Sequence, residues 1–184
     1  MVSPRPFPFP LNIGTDICQV SRVYRLLASD RGARFLQRVL TKDERASVPA
    51  GPPSAHASTT KPESNQDGDF QALKKHNPLL WKQATFVAGR FAAKEATFKA
   101  HHFRRLSFHD ITIARRALVE GKANPNGSGP PVAIIRGERE GEPGLMAMVS
   151  ISHDGDYATA VCLGFEPEMR ENKRVRGEED EGVD

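Results

Sequence analysis

The sequence predicts an α+β domain, a small antiparallel sheet packed on one long helix, and three observations carry that expectation. A helical pattern runs from about Leu79 to about Ala100, longer than any other periodic segment. Period-two segments flank it: Leu11–Ile17 before, then Asp110–Arg115, Pro131–Arg136, Met146–Ser152 and Tyr157–Leu163 after. Between the last two lies His153-Asp154-Gly155-Asp156, the composition of a tight hairpin. At about 150 residues per domain, 184 residues make one domain, assigned to residues 11–165, with flexible termini at 1–10 and 166–184.

The opening strand alternates Leu11, Ile13 and Ile17 against Asn12, Gly14 and Asp16, as in a half-buried strand. Val20, Val23, Tyr24 and Leu27 then recur at helical spacing, with Arg22 and Arg25 turned toward solvent. Asp30-Arg31-Gly32 ends that helix, and Phe35, Leu36, Val39 and Leu40 mark a second beside Arg34 and Arg38. Thr41 followed by Glu44 is a capping box that opens a short third helix. Residues 47–76 are rich in Ser, Pro, Gly, Asn and Asp and read as a disordered insertion. Asn77-Pro78 ends it as an N-cap with Pro at the first helical position. Leu80, Ala84, Val87, Ala88 and Phe91 form the apolar face of the long helix, and Asn124–Gly129 is a turn between two strands.

Composition narrows the function. Hydrophobic residues at 38% suffice for one core, and no run of about 18 apolar residues exists to span a membrane. Met1–Pro10 holds four prolines and no apolar stretch, unlike a secretory signal or an amphipathic transit peptide. Two cysteines cannot build a disulfide framework or a four-cysteine zinc site. The net charge is +3, but residues 166–184 hold eight acidic and four basic side chains. That leaves 22 basic against 15 acidic side chains in residues 1–165, a body charge of +7. Such a body suits an acidic partner. It would also suit a nucleic acid, but the aromatics are mostly Phe in core-like patterns and no zinc-finger, RRM or helix-turn-helix signature appears.

Three clusters could carry chemistry. Asp16 lies on a strand, where Asp is depleted, so it needs a metal or a buried base, or else it caps the helix that begins near Val20. On the long helix Arg90 and Lys94 are four residues apart, as are Glu95 and Lys99. A solvated face with ion pairs worth a few tenths of a kcal/mol each is one account of that spacing. The other is that Glu95 binds a hard divalent cation while Arg90, Lys94 and Lys99 hold phosphate oxygens. The third cluster, Ser150-Ile151-Ser152-His153-Asp154, has no nucleophile elbow and so does not make a hydrolase.

Together, Gly14-Thr15-Asp16-Ile17, Gly89-Arg90-Phe91-Ala92-Ala93-Lys94-Glu95-Ala96 with Lys99-Ala100, and Ser150-Ile151-Ser152-His153-Asp154 resemble the holo-acyl-carrier-protein synthases, the small 4′-phosphopantetheinyl transferases. The resemblance runs from Ile13 to about Leu163. It implies transfer of the phosphopantetheine arm of coenzyme A to a serine of apo acyl carrier protein, leaving adenosine 3′,5′-bisphosphate. It further implies Mg²⁺ on Asp16 and Glu95, Lys99 as the active-site lysine, and Arg90 and His153 on the coenzyme phosphates. Lys94 joins Arg90 and His153 as a candidate for the 3′-phosphate pocket. Arg22, Arg25 and their neighbours would receive the carrier protein, and a metal-bound water or a carboxylate would serve as base. Compact members of the family are trimers with the active site between subunits. Stand-alone eukaryotic members serve the mitochondrial carrier protein, which implies a mitochondrial address, with the cytoplasm as the alternative. The chain departs from bacterial members at His101-His102-Phe103-Arg104-Arg105, where they carry a glycine-rich loop, and at the insertion. A catalytically dead scaffold on the same fold is disfavoured by the intact Asp16, Glu95, Lys99 and His153.

Overall fold

The long helix begins where Asn77 caps it. The Asn77 Oδ1 accepts the Leu80 N–H at 2.9 Å, and Pro78 occupies the first turn, where a missing N–H costs nothing. In the computed structural model, which describes residues 8–50, 70–116, 129–139 and 141–165, this helix spans Pro78–Ala100. In chain order the elements are β1 Leu11–Gln19, α1 Val20–Leu27, α2 Gly32–Val39, α3 Lys42–Ala46, α4 Phe70–His76 and α5 Pro78–Ala100. A 3-10 turn at Phe108–Asp110 then leads into β2 Ile111–Arg115, β3 Pro131–Ile135, β4 Leu145–Asp154 and β5 Tyr157–Phe165. The strands form one antiparallel sheet in the order β1-β5-β4-β3-β2. Its inner face packs on α5. The α+β expectation therefore holds, with the sheet and the long helix as anticipated.

Small residues set how close the two layers come. A Cβ built on Gly14 would overlap the Ala96 carbonyl oxygen and lie 2.6 Å from the Ala100 nitrogen. That contact reverses the expected sense of β1. Gly14, Asp16 and Cys18 face α5, while Leu11, Ile13 and Ile17 point away, Ile13 and Ile17 being 70% and 64% exposed. Alternation was legible, but it does not say which parity a neighbouring helix will cover. The outward face continues through Met146, Met148, Val161 and Leu163, all at least 40% exposed.

The first helix buries Val20, Val23 and Tyr24 and leaves Arg22 and Arg25 exposed, as expected. Its N-terminus is capped from far away in sequence. The Asp156 carboxylate, at the β4–β5 tip, accepts the Ser21 N–H and hydroxyl at 2.7 Å each and Gln19 Nε2 at 2.8 Å. Asp156 therefore does the capping that Asp16 was weighed for. The tip is tight, with Gly155 at φ +53°, where an L side chain would be strained. The Thr41–Glu44 capping box forms as read.

The proposed insertion is too wide. Residues 70–76 form α4, whose Phe70 ring stacks on Trp81 at 5.9 Å and whose Leu73, three residues on, is buried. At the other end Pro49 accepts a hydrogen bond from Gln83 Nε2 at 2.9 Å. Residues 51–69, the turn at 124–128 and both termini beyond 8 and 165 lie outside the described residues.

Candidate active site

Asp16 follows Gly14 by two residues and shares its inward parity, so the close approach at Gly14 brings the last turns of α5 alongside it. Lys99 Nζ lies 2.8 Å from Asp16 Oδ1 and donates to the Thr15 carbonyl oxygen at 2.7 Å. Glu95 stands one helical turn earlier. Burial pushes its carboxyl above the usual range, the negative charge of Asp16 pushes it further, and Lys99 pulls it back. Two carboxylates and an ammonium from β1 and α5 thus make one charge cluster. Lys99 spends its contact on Asp16 across the layers, which the account of a solvated helix face with local pairs does not include.

Arg90 and His153 come together as well. Both line a cleft of about 500 Å³ with Trp81, Phe86, Gly89 and Ile151. Gly89 makes room for the histidine, since a Cβ there would lie 2.8 Å from His153 Nε2. His153 Nε2 is 3.2 Å from the Thr85 carbonyl oxygen. The Arg90 guanidinium stacks 3.4 Å over the Phe86 ring, and its buried Nε has no hydrogen-bond partner among the described residues. Burial holds this side chain down to about 10, so it keeps its charge at neutral pH. A charged guanidinium on the wall of this cleft can meet an anion there. Sequence reasoning missed Trp81 and Phe86, although a lone Trp four residues before a Thr and eight before a Gly on one helix face was a signal for a cleft wall.

Lys94 does not join them. It is fully buried one turn beyond Arg90, and its three donors are saturated by Glu44 Oε2 at 2.6 Å, the Val39 carbonyl at 2.8 Å and the Phe108 carbonyl at 2.9 Å. Burial pushes its ammonium down and Glu44 pushes it back up. The expectation that Lys94 binds a phosphate is corrected on this geometry. In an ideal helix Lys94 and Glu95 lie about 100° apart, so one turn can serve the interior and the site at once.

Arg22 lies 6.0 Å over the Phe91 ring, one turn before Glu95. Arg31, Arg34, Arg38 and Phe35 border an open groove of about 740 Å³ along α2. At the far end of α5, Arg104 is held by Glu138 at 3.1 Å and by the Arg136 carbonyl. Among the described residues no group of three or more His, Cys, Asp or Glu side chains gathers at one point, so any metal would rest on the Asp16–Glu95 pair with ligands from elsewhere.

The chain is similar in sequence and shape to known proteins. A family model described as the 4′-phosphopantetheinyl transferase superfamily matches residues 12–162. The chain is 34% identical over 169 residues to 4′-phosphopantetheinyl transferase B, mitochondrial, of Aspergillus fumigatus, covering 86% of this chain and 95% of that one. It is 33% identical over 153 residues to a holo-[acyl-carrier-protein] synthase of Geobacillus kaustophilus, covering 82% and 84%. A crystal structure of holo-ACP-synthase from Plasmodium yoelii aligns with a TM-score of 0.50 at 26% identity, over 83% of this chain and 91% of that one.

Proposed function

The chain belongs to the 4′-phosphopantetheinyl transferase superfamily and is a transferase of the holo-[acyl-carrier-protein] synthase kind; on that premise we propose how its residues divide the work. It moves the phosphopantetheine group of coenzyme A to a serine of an acidic apo carrier protein and releases adenosine 3′,5′-bisphosphate. The observation that carries this reading is the Lys99–Asp16 contact, with Glu95 one turn earlier on α5 and with Arg90 and His153 sharing a cleft.

The donor set fits Mg²⁺. Two oxygen ligands are presented, Glu95 is pushed up by burial and further by the charge of Asp16, and a small hard cation prefers one or two carboxylates plus phosphate oxygens and waters. Asp16 and Glu95 would hold such an ion, which would supply charge neutralisation to the coenzyme's pyrophosphate. Lys99 supplies a second cation to the same oxygens, Arg90 and His153 hold the coenzyme's phosphates, and Phe86 and Trp81 border the space beside them. The serine oxygen attacks phosphorus in line and its proton passes to a carboxylate or water at the site; a P–O bond forms to serine, and the P–O bond to the nucleotide breaks. Such a transfer rests on position and charge neutralisation more than on covalent chemistry. Mass spectrometry of apo carrier protein incubated with the chain, coenzyme A and Mg²⁺ tests the reading: a gain of one phosphopantetheine is expected, and an unmodified carrier overturns it.

The +7 body and the exposed Arg22 and Arg25, continued by the arginine-lined groove on α2, support the acidic carrier as partner. Reversing charge at Arg22 and Arg25 should raise KM for the carrier about tenfold or more while leaving KM for coenzyme A in place, and should flatten the salt dependence of the rate, since steering is screened within about a Debye length. Unchanged carrier kinetics would reduce the strip to ordinary surface.

The outward apolar face of the sheet supports a homotrimer, because Ile13, Ile17, Met148 and Val161 form a patch that water meets in a lone chain. Sedimentation should give a trimer for the wild type and smaller species for Ile13→Lys with Met148→Lys; a wild-type monomer would discard the trimer. The mitochondrial relative supports a mitochondrial address, which fluorescence microscopy of the tagged chain would check.

A further inference from the structure

The one charged side chain of α5 that is wholly buried, Lys94, takes no part in the chemistry described so far. Its partners explain why it is there. Lys94 grips the carbonyl of Val39, the last residue of α2, the carboxylate of Glu44 in α3, and the carbonyl of Phe108 in the turn before β2. Glu44 uses both oxygens: Oε2 also accepts the Thr41 N–H at 2.8 Å, and Oε1 accepts the Ile113 N–H of β2 at 3.0 Å. The end of α2, all of α3, the 3-10 turn, β2 and α5 therefore meet at a single ion pair. A second tie joins α2 to the same turn, where His109 Nε2 lies 2.7 Å from the Gln37 carbonyl oxygen. Aromatic packing follows the same line, with Phe35 of α2 6.2 Å from Phe91, one turn before Glu95.

Burying two charges is a poor route to stability, since an apolar pair of like volume is often as stable or more so. What the pair adds is direction. Three donors and two acceptor oxygens fix the α2–α3 segment on α5 in angle as well as distance, and the next residue along the helix is Glu95.

We propose that the Glu44–Lys94 pair is a positioning unit: it holds the basic α2–α3 face in register with the Asp16–Glu95–Lys99 cluster, so that the serine of a docked acidic carrier protein meets the coenzyme's phosphate. The unit rests on the transfer reading above. The groove with Arg31, Arg34 and Arg38 gives the carrier its grip, and Lys94 sets where that grip lies relative to the reacting phosphorus. Contacts that bind and contacts that align are thus separate, and each leaves its own kinetic signature.

The test is steady-state transfer by the full chain carrying Glu44→Gln together with Lys94→Met, which removes both buried charges at once. Rates are expressed per coenzyme-A-binding site, counted by isothermal titration, so that any loss of folded protein is divided out. The expected result is unchanged coenzyme A affinity, KM for the carrier within about threefold, and kcat lower by up to about 100-fold, the scale of an ångström of misplacement. If the double variant does not accumulate folded, Glu44→Gln alone keeps the volume and one acceptor and should show the same pattern at smaller amplitude. Wild-type kcat, a rise confined to carrier KM, or loss of coenzyme A affinity would each overturn the positioning role. A wild-type chain that binds coenzyme A but modifies no carrier would instead overturn the transfer reading itself, and the proposal with it.

Discussion

Glu95→Gln should fold and fail to transfer. The substitution keeps volume and helix propensity and removes the charge that would hold a divalent cation beside Asp16. The rate should fall by about 10²–10³-fold, the scale of losing one preorganised electrostatic contact at a reacting centre. Excess Mg²⁺ should restore part of it. Asp16→Asn should behave alike, and the double variant should be little worse than either single one, because ligands of one ion act as a unit. Stability should move the other way. The folded-state Glu95 carboxyl titrates above its unfolded value, so the folded protein binds the extra proton between those two values. In metal-free protein the charged Glu95 therefore costs stability at neutral pH, and that cost disappears as pH falls below the unfolded value of about 4.3. Glu95→Gln should melt higher than wild type at pH 7 in chelator, with the gap closing toward pH 4. Near-normal transfer by Glu95→Gln at limiting Mg²⁺ would remove the metal assignment.

The two opposite effects of one side chain show why some of this protein could be read from sequence and some could not. Local signals were legible. Thr41 and Glu44 are three apart and form the capping box that their spacing announces, and Asn77-Pro78 starts α5 where it should. The stripe Val20, Val23, Tyr24 is buried because a helix repeats every 3.6 residues whatever it packs on. Asp16 stood out as an aspartate on a strand and Glu95 and Lys99 by their four-residue spacing; the family pattern joined them, and Lys99 meets Asp16 with Glu95 one turn earlier.

What failed depended on partners distant in the chain. Lys94 reads as a mate of Arg90 at four-residue spacing, whereas its partner Glu44 is fifty residues away. A hint was present, because Ala92, Ala93 and Ala96 surround Lys94 with small residues on a face that is entirely buried. Asp156 caps α1 from 135 residues away, a pairing that no local window contains. The parity of β1 inverts for a related reason. The apolar half of the alternation faces out, and the half with glycine and aspartate faces the helix, since only a residue without a side chain admits the α5 backbone.

That close approach yields the second large effect. Gly14→Ala should lower stability and activity together. Replacing a glycine at ordinary strand dihedrals reduces unfolded-chain entropy and by itself stabilises by about 0.4–1 kcal/mol. Here the added methyl would overlap the Ala96 carbonyl oxygen and sit 2.6 Å from the Ala100 nitrogen, both backbone atoms of a helix that cannot turn aside as a flexible side chain would. Overpacking of this kind costs about 3 kcal/mol. The steric cost exceeds the entropic gain by at least about 2 kcal/mol, and the melting temperature should fall by about 4–8 °C at 2–4 °C per kcal/mol for a chain of this size. The strand must move away between Glu95 and Lys99 on one side and Asp16 on the other, so the 2.8 Å Lys99–Asp16 contact should lengthen. Turnover measured well below the melting temperature should drop about tenfold or more for that reason. Thermal melts and kinetics on one preparation decide it: a Gly14→Ala chain as stable as wild type would mean that β1 and α5 do not meet at Ala96, and a destabilised chain with full turnover would mean that the Asp16–Lys99 geometry does not set the rate.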